Sequence, residues 1–137
     1  MKNQTRLISI SKLPNDAPPE LISQKILAAD TFFTRLIGLM FRKTLAPFDG
    51  LFLTQCSSIH TFFMRFPIDV VCLDRENRLT AVRHEMKPCR FYAPRRGTCA
   101  MLELQPGFTE KLDLKPGDIF VIETLPDPAE PESSRLS

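Results

Sequence analysis

The chain has 137 residues, 43% of them apolar and 25% charged, and a net charge of +2. A domain of this size buries about two-thirds of the surface its unfolded chain exposes, so it needs neither disulfides nor a structural metal. The composition is that of an ordinary globule, and no run approaches the ~18 apolar residues of a membrane-spanning helix.

The N-terminal stretch "TRLISIS" predicts a strand, with Leu7 alternating against Ile8 and Ile10. It is too short, and too interrupted by serines, for a signal peptide. "KLPNDAPPE" reads as an exposed connection because of its prolines and Asn-Asp pair, and "LISQKILAAD" as a further strand. Asp30 is placed to cap a helix over "TFFTRLIGLMF", where Phe32, Phe33, Leu36, Ile37 and Met40 recur at helical spacing. "LFLT" is a short buried strand. In "SSIHTFFMRFPIDVVCLD", Pro67 separates two strands, and the second, "IDVVCL", is apolar on both faces except at Asp69.

"DREN" turns the chain into "RLTAVRHEM", and "TCAMLELQ" is another strand. "PGFTEKLDL" reads as a short helix aligning Leu104, Phe108 and Leu112, and "KPGD" leads into the last strand, "IFVIE". These elements predict an α+β domain over residues 1–123, mostly β. Its sheet would be strongly curved, or form a small open barrel, and carry two short helices. Residues 124–137, rich in proline and carrying Asp127, Glu130, Glu132 and Arg135, read as a disordered tail.

Several of these pieces, in this order, resemble a known prokaryotic family, domain of unknown function 192. They are "RLIGLM" followed by Arg42, "IHTFFMRFPIDVVCLD", "LEL" followed by Gly107, and the pair Gly117–Asp118. The resemblance covers roughly Leu27 to Ile122 and implies one compact, mostly β domain with no assigned activity. Many relatives have a Trp-Met-Lys-Asn-Thr-like segment where this chain reads Phe63-Met64-Arg65-Phe66.

Four polar residues stand out against apolar surroundings. Asp69 must be paired, hydrogen-bonded or protonated, since a buried bare carboxylate costs several kcal/mol. Structurally it would accept backbone N–H groups or pair with Arg35; functionally it would be a base or ligand anchor at a cleft. Arg35 lies on the predicted helix stripe and reads first as a bridge to Asp69 or Glu103, second as an anion site. His60 reads as a hydrogen-bonded core or rim residue, or as the base for the Cys56 thiol, with Asp69 orienting the ring. Against Cys-His catalysis, "CSSIH" reads as loop entering strand, which does not bring the two side chains to one face.

The cysteines Cys56, Cys72, Cys89 and Cys99 lack zinc-ribbon spacing, so neither a metal site nor another cofactor is expected. The simplest address is a reducing cytoplasm. Residues 83–96, "RHEMKPCRFYAPRR", hold five basic residues against one Glu. They read first as a solvated, proline-stiffened loop and second as a surface for RNA, because Phe91 and Tyr92 lie among the arginines. The expected role is a non-catalytic binding module for a small molecule, peptide or partner protein. Arg35, Cys56, His60 and Asp69 are its candidate site. A thiol-dependent enzyme or hydrolase using Cys56 and His60, and an RNA-binding accessory protein, are the alternatives.

Overall fold

The structure is a computed structural model and describes residues 5–14, 17–29, 44–45, 47–55, 58–61, 64–94 and 96–126. Nine strands follow in chain order: β1 Thr5–Leu13, β2 Glu20–Ala29, β3 Gly50–Leu53, β4 Ile59–His60, β5 Ile68–Leu73, β6 Leu79–Met86, β7 Phe91–Tyr92, β8 Ala100–Leu104 and β9 Ile119–Thr124. Seven of them form one open sheet in the order β6-β5-β8-β3-β2-β1-β9, and β4 and β7 pair as a separate ribbon. All neighbours in the large sheet are antiparallel except β2 and β3. A parallel pair needs a long crossover, and residues 30–49 lie between those two strands.

The expectation of an α+β domain with two helices is corrected. Strands hold 52% of the described residues, and 4% form one 3₁₀ turn, Phe108–Lys111. The apolar spacing of Leu104, Phe108 and Leu112 mimics a helix because Leu104 ends a buried strand and Phe108 packs back on the same core. The helix expected from Asp30 onward lies outside the described residues. At the other end of the chain, β9 includes Thr124, and the Leu125 N–H donates to the Leu7 carbonyl at 3.1 Å. The rest of the expected tail, from residue 127, also lies outside the described residues.

Alternation divides the sheet's side chains between two cores. One gathers Ile8, Ile10, Ile26, Phe52, Val71, Leu102, Leu104 and Phe120; the other gathers Leu51, Leu53, Ile59, Met64, Ile68, Val70, Met86 and Met101. The central strands β3, β5 and β8 are therefore buried at every position, which explains their unbroken apolar runs. The outer strands β6 and β9 meet at one corner. There the Leu79 N–H donates to the Asp118 carbonyl at 2.8 Å and the Phe120 N–H to the Asn77 carbonyl at 2.8 Å. Lys12, itself buried, braces this corner by donating to the Asp113 carbonyl at 2.7 Å, with the Asp118 carboxylate 4.0 Å away.

Gly50 opens β3 between Ile26 of β2 and Leu104 of β8. A Cβ there would sit 2.5 Å from the Glu103 carbonyl oxygen and 2.7 Å from Leu104 Cδ2. The first of these is backbone and cannot swing aside. Gly50→Ala should therefore destabilise the fold by about 1–3 kcal/mol, read as a lowered urea midpoint with an unchanged slope.

Candidate functional site

Asp69 is fully buried in β5, on the same face as Val71 and Leu73. Opposite it the β5–β6 register slips, so that Ile68 pairs with Met86 and Val70 with Arg83. Two residues, His84 and Glu85, thus face the single Asp69, which makes a β-bulge. Glu85 takes a left-handed conformation there (φ 47) and turns its N–H to Asp69 Oδ1 at 2.8 Å. The other oxygen, Oδ2, accepts the Thr109 N–H at 2.9 Å and the Thr109 hydroxyl at 2.6 Å. Thr109 arrives because Gly107, at φ 85, bends the chain out of β8 into the 3₁₀ turn. Burial pushes the Asp69 pKa up, but hydrogen bonds from Thr109, Glu85 and Gly107 outweigh it and hold the carboxyl below its usual range.

That charge fixes the next group outward. Thr109 has one hydroxyl proton and gives it to Asp69, so its oxygen can only accept from His84 Nδ1, 2.7 Å away. The neutral His84 ring must then carry its proton on Nδ1 and its lone pair on Nε2. The series runs from a buried carboxylate through a buried hydroxyl to an exposed imidazole.

A second carboxyl lies on the opposite face. Glu103 of β8 pairs with Leu51 and Val70, is only 4% exposed, and alternates with Leu102 and Leu104. Its Oε2 accepts no hydrogen bond among the described residues. Burial pushes its pKa up to about 8, so at neutral pH it is mostly the uncharged acid.

A cleft lies at the far end of the sheet from Asp69: Asp69 is near the start of β5, and the Asp74 turn follows the end of that strand. The strand between them spans about 16 Å. This cleft of about 610 Å³ has Phe52, Ala100 and Ile122 among its apolar lining. Thr54, Gln55, Asp74, Arg75, Asn77 and Thr98 supply polar groups, and the Cys99 thiol also lines it. Gln55 and Asn77 both have positive φ, at 50° and 60°, so the wall on each side is a sharp turn. Asp74 Oδ1 holds one of these turns by accepting the N–H groups of Glu76 and Arg78 at 2.8 and 2.9 Å.

Of the residues singled out from sequence, Arg35 and Cys56 lie outside the described residues. His60 is described in its backbone only, in β4 opposite Phe91 of β7. Asp69 is described in full, and the donors to its carboxylate are Glu85 and Thr109, 16 and 40 positions along the chain. Sequence reasoning missed Thr109, the bulge at Glu85 and the cleft, and it considered Glu103 only as a partner for Arg35. The "LEL-QPG" turn two residues before Thr109 was a usable signal; the bulge had none. No group of three or more His, Cys, Asp or Glu side chains suited to a metal occurs among the described residues. Among them, too, no helix is long and apolar enough to cross a membrane.

Asp69→Asn puts an NH₂ among groups that are all donors, and should cost about 3 kcal/mol in denaturant unfolding. The Asp69 contribution to stability is present above about pH 4 and lost as pH falls through its lowered folded pKa. Long-range ¹H–¹⁵N spectra should place the neutral His84 proton on Nδ1, and Thr109→Val should let the ring populate both tautomers. Glu103 acts in the opposite sense to Asp69, because the folded state binds its proton more tightly than the unfolded chain does. Stability should decline between pH 4.5 and about 8, by up to about 1.4 kcal/mol per pH unit, and Glu103→Gln should flatten that decline.

Comparison with known proteins places this architecture. An uncharacterised protein of Pyrococcus furiosus, named only as UPF0127, is 35% identical over 97 residues, spanning 66% of this chain and 79% of that protein. Two crystal structures share the fold. A protein of unknown function from Novosphingobium aromaticivorans is 19% identical, with a TM-score of 0.70 over 82% of this chain and 83% of that one. A candidate transcription regulator from Sinorhizobium meliloti is 17% identical, with a TM-score of 0.72 over 88% and 97%. The DUF192 family model, described as "Uncharacterized ACR", matches residues 16–122. The chain therefore belongs to the DUF192 family.

Proposed function

We propose that the chain is a non-catalytic binding module and that its ligand is a small molecule seated in the cleft at the end of the sheet. The cleft itself carries this reading. Its volume of about 610 Å³ falls in the range of small-molecule sites, and it joins an apolar floor to a few polar groups held on tight turns. Arg75 lines it, is exposed, and forms no ion pair among the described residues, which favours a ligand bearing an acidic group on an apolar body. Among the described residues Cys72, Cys89 and Cys99 form no disulfide, which suits a reducing compartment such as the cytoplasm.

Ligand-observed NMR with a library of aromatic and aliphatic carboxylic acids tests the proposal. Binding acids should shift backbone signals of residues 52–55, 74–77 and 98–100, and Arg75→Ala should weaken them about tenfold without altering stability. Shifts gathered anywhere else, or no binder in the library, would remove the cleft as the site.

A further inference from the structure

The basic segment 83–96 is not a loose loop. Thr61, fully buried, acts as its hub: its hydroxyl donates to the Lys87 carbonyl at 2.7 Å and accepts the Arg90 N–H at 2.8 Å. Its N–H donates to the Arg90 carbonyl at 2.8 Å, and its carbonyl accepts the Cys89 N–H at 2.9 Å. Four bonds from one residue fold 87–90 into a turn tight enough to put Cys89 at φ 62. The chain leaves this turn as β7, where alternation decides what faces water. Tyr92 packs inward against the second core with the Arg83 guanidinium 5.2 Å from its ring centre. Phe91 must then point outward, and it is 64% exposed.

Along this segment the charge is one-sided. Arg83, Lys87, Arg90 and Arg96 are exposed and none forms an ion pair among the described residues; Lys87 and Arg90 belong to the turn that Phe91 directly follows. Within segment 83–96, Glu85 is the one acid.

From this juxtaposition of an outward Phe91 with unpaired cations on a rigid turn and ribbon, we infer a docking surface for single-stranded nucleic acid. Phe91 is the platform on which a base stacks, and Lys87, Arg90 and their neighbours meet the phosphates. A bilayer fits less well. One exposed ring buries too little apolar area to hold a peripheral protein at a membrane, whereas a single ring is what one base requires. A duplex fits less well too, because its bases are already stacked and offer the ring no open face. The surface is distinct from the cleft and does not depend on it.

Fluorescence anisotropy of the full chain with a labelled oligothymidylate tests the assignment. With about four phosphate contacts on a single strand, affinity should fall about 50-fold between about 50 and 200 mM salt. Phe91→Ala, at an exposed position, should weaken binding about 5- to 150-fold with the salt slope intact. Arg90→Ala should instead lower the slope by about 0.7, the share of one phosphate contact on a single strand. Absence of binding at about 50 mM salt would overturn the inference. So would affinity indifferent to Phe91→Ala, duplex bound as tightly as single strand, or phosphatidylserine vesicles bound in place of the oligonucleotide.

Discussion

The carboxylate of Asp69 and the donors converging on it tie a bulge in β6 and the 3₁₀ turn after β8 to one residue of β5. Its two oxygens take the N–H of a bulge in β6 and both donors of a threonine in the 3₁₀ turn. An ion in the apolar middle of a sheet is tolerable only because each lone pair that matters has a donor aimed at it. The dependence is mutual. The bulge frees a backbone N–H that no strand accepts, and the start of a 3₁₀ turn exposes another. The carboxylate meets both needs, so turn, bulge and strand end are set by one side chain.

The two buried carboxyls show how neighbours decide what a residue type does. Asp69 and Glu103 lie on adjacent strands, with Asp69 facing Leu104 and Glu103 facing Val70. They project to opposite faces. Asp69 meets donors and stays charged, while Glu103 meets the second core and holds its proton. A stored proton at neutral pH gives the second face a polar group whose charge depends on its surroundings, where the first face has a fixed charge sealed from water.

Much of the sheet was legible in the sequence because alternation and continuous apolar runs are local signals. "IDVVCL" reads as a central strand and is one, buried at every position. That Asp69 needs partners was equally legible from its setting; which partners was not. Glu85 qualifies only through a one-residue slip in register, and Thr109 only through a turn that brings it back over the sheet. The slip leaves no trace in spacing, and the Gln-Pro-Gly turn marks only that the chain bends before Thr109. The short helix expected at 106–114 failed for a related reason, since apolar residues three and four apart also arise when a strand ends and a turn folds onto the same core. The cleft was invisible for a stronger reason: its lining comes from the ends of β3, β5, β8 and β9, and only their assembly makes a space.

The first strand of the chain lies between β2 and β9, and its register with β9 runs from Ile8↔Thr124 to Leu13↔Ile119. A nascent chain therefore leaves the ribosome with one edge of β1 presenting an unmet row of backbone groups until β9 has been synthesised. Topologies with pairings this remote fold slowly and expose strand edges while they wait. Ser9, Ser11 and Lys12, which accompany Ile8 and Ile10 in β1, are suited to keeping that waiting edge soluble.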